Sequence, residues 1–232
     1  MTEHGFHDVR WRVRDVLLGS VVAIVFTSVA LILIGLGVAM SGRENIGPVA
    51  TLAAAASEAL IVYVVWRLAI RRYVQGGWAA LGVRSPERAF AFLLIPVVLI
   101  GSLGFTALYE LAIGSLGVES LAPESLPREM FGEGALRVTT VAVTALMIPF
   151  VEELFFRGFL FAGLAARFGL LTGLIVSAAV FAVAHADVRT MIPIFVAGLL
   201  FGWAYHVTKT LWVPIAAHAC QNLAALMFLD IV

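Results

Sequence analysis

Six side chains suited to acid–base or hydrogen-bonding chemistry fall in three short runs of an otherwise apolar stretch. The runs are Glu152-Glu153-Leu154-Phe155-Phe156-Arg157, Phe181-Ala182-Val183-Ala184-His185 and His218-Ala219-Cys220-Gln221-Asn222. Glu153 and Arg157 are i and i+4, so on a helix they share a face and pair. Glu152 is turned from Glu153 by about 100° on a helix and faces elsewhere. One carboxylate is then neutralised and the other left free, and different environments are how adjacent carboxyls acquire separate acid and base roles. His218 and Asn222 are also i and i+4, and present two hydrogen-bond donors on one face. Cys220 points to nearly the opposite side, so a Cys–His pair on that helix is geometrically poor.

The elements that must hold these groups are membrane helices. Of the 232 residues, 62% are hydrophobic and 13% charged, against roughly half and a quarter in a soluble domain. Lipid as the outer solvent removes the need for polar cover. Net charge is zero, which gives no reason to expect nucleic-acid binding. The single cysteine, Cys220, permits neither an internal disulfide nor a Cys-based metal cage. A span needs roughly 20 apolar residues. Seven stretches are read as spans: residues 16–40, 47–66, 89–109, 138–166, 168–184, 190–205 and 210–229, the sixth being the shortest. The first is too long for a signal-peptide core and is expected to be retained. The fold class is therefore all-α, a polytopic transmembrane bundle of about seven spans with its active site embedded in the membrane. It divides into a tail (1–15), N-terminal membrane helices (16–114), an extracytoplasmic loop (115–137) and membrane helices carrying the three runs (138–230). The basic stretch after the second span, with Trp78 and Leu81, reads as an interfacial segment.

Lys/Arg bias sets orientation. Arg10, Arg12, Arg14, Arg67, Arg71, Arg72, Arg84, Arg88, Arg167 and Lys209 fall on one side, against Arg43, Arg128, Arg137 and Arg189 on the other. The N-terminus is expected in the cytoplasm. Measured from the cytoplasmic helix ends, Glu152 lies about 22 Å deep, His185 about 24 Å, His218 about 13 Å and Asn222 about 20 Å. All four can meet in one slab of the bilayer. Glu58, on a span of small residues, is expected to be structural or a second partner for Arg157. His206 belongs to the interface beside Lys209, and His4 and His7 carry no assigned role.

The pattern EExxxR, FxxxH and HxxxN, in this order on membrane helices, resembles the CAAX-processing endopeptidases and their bacterial relatives, the CPBP family. The resemblance covers about residues 140–225, including the lead-in GLLFGWAYHVTKTLWVPIAAH. It implies an intramembrane endopeptidase. Glu152 and His185 would activate a water, His218 and Asn222 would stabilise the oxyanion, Glu153 and Arg157 would support them, and Phe181 would pack. It implies as substrate a lipidated protein, as in CAAX-type processing, or a peptide in bacterial maturation or immunity. It implies an integral protein of the bacterial plasma (inner) membrane.

Elementary chemistry is consistent with that expectation. Peptide hydrolysis needs a base and donors aimed at developing negative charge in a low dielectric. There is no HExxH, no GxSxG and no pair of aspartates within spans. Two other classes remain open. A proton-coupled transporter would also use intramembrane Glu, His and Arg, but should show a repeat. A non-catalytic partner-binding or immunity protein would tolerate loss of Glu152. Zinc is the metal to weigh: Glu152, His185 and His218 would supply three ligands. A metal-free site is favoured, because an asparagine beside His218 suits an oxyanion donor better than a zinc ligand. In addition, with Glu153 paired to Arg157, only Glu58 and Asp187 are left to orient ligating histidines.

Overall fold

The computed structural model describes residues 9, 11–41, 47–71, 77–87, 89–122 and 128–228. Arg10, Arg43, Arg72 and Arg88 of the expected charge bias, His4 and His7, residues 123–127 of the expected loop and 229–230 of the last span lie outside the described residues.

Every regular element among the described residues is helical. The long helices are α1 (Val13–Ser41), α2 (Gly47–Val65), α3 (Leu94–Leu116), α4 (Gly134–Phe168), α5 (Leu170–Ala184), α6 (Met191–Thr208) and α7 (Trp212–Phe228). α2 runs on into a π-helical turn, Trp66–Ile70. Five helical stretches are long and apolar enough to cross a membrane: Val13–Gly37, Gly47–Ile70, Phe90–Leu116, Gly134–Phe168 and Met191–Thr208. The chain is an all-α integral membrane bundle. The stretch expected to be shortest is 18 residues long as α6. It is α5, with 15 residues, that falls short. It rises about 22 Å against a hydrocarbon core of about 30 Å.

α4 is the axis of the molecule. It switches twice from α to π bonding, at Val143–Met147 and at Leu154–Phe161, and all eight residues of the second π stretch are buried. A one-residue turn at Gly169 (φ +88°) folds α5 back along α4. That φ favours glycine, because a Cβ clashes with the backbone there. The hairpin closes tightly: a Cβ on Gly173 would lie 2.7 Å from Ala165 N. α5 packs on α6 the same way: a Cβ on Gly198 would lie 3.1 Å from Ala178 Cα. Small residues are what let helices approach when lipid supplies no hydrophobic drive between them. α3 joins α7 through Ser102 Oγ, which donates to Gln221 Oε1 at 2.7 Å.

The basic stretch expected at the interface is only partly that. Trp78 is 40% exposed, but Leu81 is fully buried. Its carbonyl accepts from Tyr205 Oη at 3.1 Å, and it faces Gly158, where a Cβ would lie 2.8 Å from Leu81 O. Gly82 O accepts from Leu211 N at 2.8 Å, and Arg84 Nε donates to Lys209 O at 2.9 Å. The segment is therefore hydrogen-bonded to the α6–α7 turn and packs on the second π stretch of α4 at Gly158.

Candidate active site

The two glutamates of α4 stand at the junction where α bonding gives way to π. Glu153 is fully buried. Its Oε1 accepts from Arg157 Nη1 at 2.8 Å and contacts His218 Nδ1 at 3.0 Å. A carboxylate paired with a guanidinium only accepts, so the hydrogen of the second contact sits on Nδ1. Arg157 is buried as well. Its Nη2 donates to Gly198 O on α6 at 3.4 Å. Its guanidinium carbon lies 4.2 Å from the Phe181 ring centre, 5.2 Å from that of Phe201 and 5.9 Å from that of Phe156. Aromatic faces attract a desolvated cation by about 2 kcal/mol, which partly offsets the cost of burying it.

Glu152 differs from its neighbour as the sequence leads one to expect. Its side chain is 18% exposed, and its Oε2 lies 3.6 Å from His218 Nε2. That exceeds a direct hydrogen bond but places the free carboxylate opposite the second imidazole nitrogen. His218 therefore sits between the two glutamates. Its ring stacks on Phe201, with centroids 5.0 Å apart and planes at 23°, and meets Phe181 edge-on at 5.8 Å.

His185 ends α5 and is exposed. Its Nδ1 donates to Phe181 O at 2.8 Å, which leaves Nε2 as the free lone pair. Its ring lies 4.7 Å from that of Phe181. Phe181 thus touches His185, His218 and Arg157 together, a larger part than the packing role the motif implies. Among the described residues no hydrogen bond or ion pair joins His185 to Glu152. Asn222, half-buried, lies one turn beyond His218 on α7, and its Nδ2 donates to Thr144 O at 3.1 Å. Cys220 is exposed while His218 is buried, as their spacing requires.

Two expectations are corrected. Arg157's partners are Glu153 and the Gly198 carbonyl. Glu58, offered as a second partner, instead lies within electrostatic range of Glu152, and its buried Oε2 has no hydrogen-bond partner. The supply of orienting groups for the histidines is also larger than the sequence suggests. Glu153 serves Arg157 and His218 at once, and a backbone carbonyl serves His185. Asp187 is occupied elsewhere: the Arg189 N–H and the Thr190 hydroxyl donate to it and hold its carboxyl below the usual range. The shortage of orienting groups therefore no longer argues against zinc. Ligand geometry bears on the question instead. Among the described residues no three His, Cys, Asp or Glu side chains converge as a metal-binding group.

Phe201, Gly198 and Thr144 were not singled out by sequence. The first two lie on α6, both inside the lead-in GLLFGWAYH, which carries similarity but no assigned role. Their part depends on contacts between helices.

Comparison with known proteins bears on the same stretch. Residues 134–224 match the family described as "Type II CAAX prenyl endopeptidase Rce1-like". A Bacillus subtilis (strain 168) protein, named "Putative membrane peptidase YdiL", is 30% identical over 82 residues. That match covers 35% of this chain and 34% of the relative, so the chain spans about a third of that protein's length. No solved structure matches. The matched stretch takes in α4 to α7 up to residue 224, with all three motifs, and over residues 134–224 the chain is similar to this Rce1-like family.

Proposed function

We propose that this chain is an intramembrane endopeptidase that hydrolyses a peptide bond of a membrane-associated protein or peptide with a water activated by Glu152. The observation that carries the reading is His218 held between the two glutamates: Nδ1 on Glu153, and Nε2 3.6 Å from Glu152. Glu153 is neutralised by Arg157, so Glu152 is the carboxylate left to accept a proton.

Glu152 takes a proton from water as the oxygen bonds to the carbonyl carbon. His185, with Nδ1 fixed on a carbonyl, offers Nε2 to orient that water. The charge that gathers on the carbonyl oxygen is met by His218 Nε2–H, when the imidazole carries both protons, and by the Asn222 N–H not engaged with Thr144. The C–N bond then breaks, and Glu152 returns its proton to the leaving amine. Donors aimed at developing charge in a low dielectric are worth about 3–4 kcal/mol each, and a positioned base adds 10²–10⁴-fold. The substrate is a lipidated protein tail or a peptide to be matured. The site belongs to the plasma membrane, with the N-terminus in the cytoplasm.

Peptides released from membranes that contain the protein test this reading, compared with membranes lacking it and with membranes holding Glu152→Gln. New peptide ends that appear only with the wild type support it. Identical profiles from all three overturn it.

A further inference from the structure

The segment that leads into α1 touches the catalytic helix at its most irregular point. Trp11, 4% exposed, donates from Nε1 to Phe159 O at 3.0 Å, across 148 residues of sequence. Its indole also stacks on the Phe159 ring, with centroids 5.9 Å apart and planes at 26°. Phe159 lies within the π stretch Leu154–Phe161, just before α bonding resumes. The Ala162 amide is shared there between the carbonyls of Arg157 and Phe159. The Phe159 carbonyl therefore sits at the register switch, and its other lone pair goes to Trp11.

The fit around this contact leaves little slack. A Cβ on Gly163 would lie 2.6 Å from Val16 Cγ2 and 2.8 Å from Trp11 Nε1. A Cβ on Gly19 would lie 2.7 Å from the Phe159 ring. Arg12 N donates to Asp15 Oδ2 at 3.0 Å, and Asp15 and Val16 N–H groups bond to Arg12 O. The first turn of α1 is thereby fixed beside Trp11.

A π stretch accommodates an extra residue relative to α bonding and is often found at functional sites. Were Leu154–Phe161 to revert to α bonding, the helix on one side would turn by about 100° relative to the other. Glu152, Glu153 and Arg157 lie at or within that stretch, while the anchors of the helix beyond it, Gly163 on α1 and Ala165 on α5, would stay. The turn would take Glu153 off His218 and Arg157 off Gly198 O.

We infer that Trp11 is a positioning residue, which holds the π register of α4 and through it the mutual placement of Glu152, Glu153, Arg157 and His218. The inference rests on the proteolytic reading for its effect on rate, but not for its effect on α4. The N-terminal segment is then part of the active-site scaffold, although it lies outside the stretch matched to the family.

The test replaces Trp11 in the full chain in two ways. Trp11→Phe keeps a ring and loses the N–H. An isosteric benzothienylalanine at position 11 removes the N–H alone and covers the case in which Trp11→Phe folds poorly. Amide hydrogen exchange is followed by mass spectrometry in lipid nanodiscs, and cleavage is followed in the same preparations. Faster exchange confined to residues 148–163, with kcat lowered roughly 10–100-fold and KM unchanged, is expected. Wild-type exchange across 148–163 in both variants overturns the inference. So does faster exchange with unchanged kcat, because the register would then not matter to the chemistry. If the wild type itself cleaves nothing, the proteolytic reading fails, and exchange alone decides whether Trp11 holds the register.

Discussion

His218 Nδ1 and Arg157 Nη1 meet on one atom, Oε1 of Glu153. That atom links α7 to α4, and Arg157 Nη2 extends the link to α6 through Gly198 O. Glu153 is thus less a spare carboxylate than the joint of the site.

Glu153→Ala is expected to be the most damaging single change in the cluster. It strips Arg157 of its counter-charge in a buried place, and such removals cost about 3–5 kcal/mol. It also takes the acceptor from His218 Nδ1. Expression and thermal melting in detergent should fall well below those of Glu152→Ala. Glu153→Ala combined with Arg157→Leu should recover folding but not cleavage, because His218 stays unheld. A Glu153→Ala protein that folds normally would contradict this.

The α4–α5 hairpin offers a test that needs no substrate. Gly173→Ala places a Cβ 2.7 Å from Ala165 N and 2.8 Å from its Cα, and backbone cannot give way as a side-chain tip can. A loss of about 1–3 kcal/mol, typical of overpacking, should appear as a lower melting temperature. An unchanged one would mean that the two helices are not in this register.

What the sequence shows about this site divides along a physical line. The Glu153–Arg157 pair was legible because i and i+4 on one helix are neighbours whatever surrounds them. The contrast between Glu152 and Glu153 followed from the same helical rotation. Contacts made between helices did not show: Phe201 against His218, Gly198 O on Arg157, Thr144 O on Asn222 and Trp11 on Phe159 each join residues far apart in sequence. Nor does sequence mark the π stretches of α4, since their register is set by what packs on them. The span of α5 looks ordinary by composition, but the turns at Gly169 and after Ala184 keep it to 15 residues.

Topology can be read directly. With Cys220→Ala as background, cysteine placed at Ser120 should react with an impermeant reagent from outside, and cysteine at Ser85 only after access from the cytoplasm. The reverse pattern would invert the orientation taken from the Lys/Arg bias.

Zinc is decided by stoichiometry against activity. The arrangement of Glu152, His185 and His218 predicts purified, active protein with well below one zinc per chain, and cleavage that survives prolonged chelation. Zinc present in equal proportion to protein, with activity lost on its removal and restored on its return, would make His218 Nε2 a ligand, oriented by Glu153 as such histidines usually are.

The most direct measurement is the cleavage rate of folded Glu152→Gln beside the wild type. Gln is nearly isosteric but cannot take a proton from water. Both proteins are reconstituted into the same lipid and matched for melting temperature, and release of a defined peptide is timed. A fall of at least ~10²-fold is expected with the fold intact, and the same for His185→Ala. Cleavage by folded Glu152→Gln at close to the wild-type rate would contradict it.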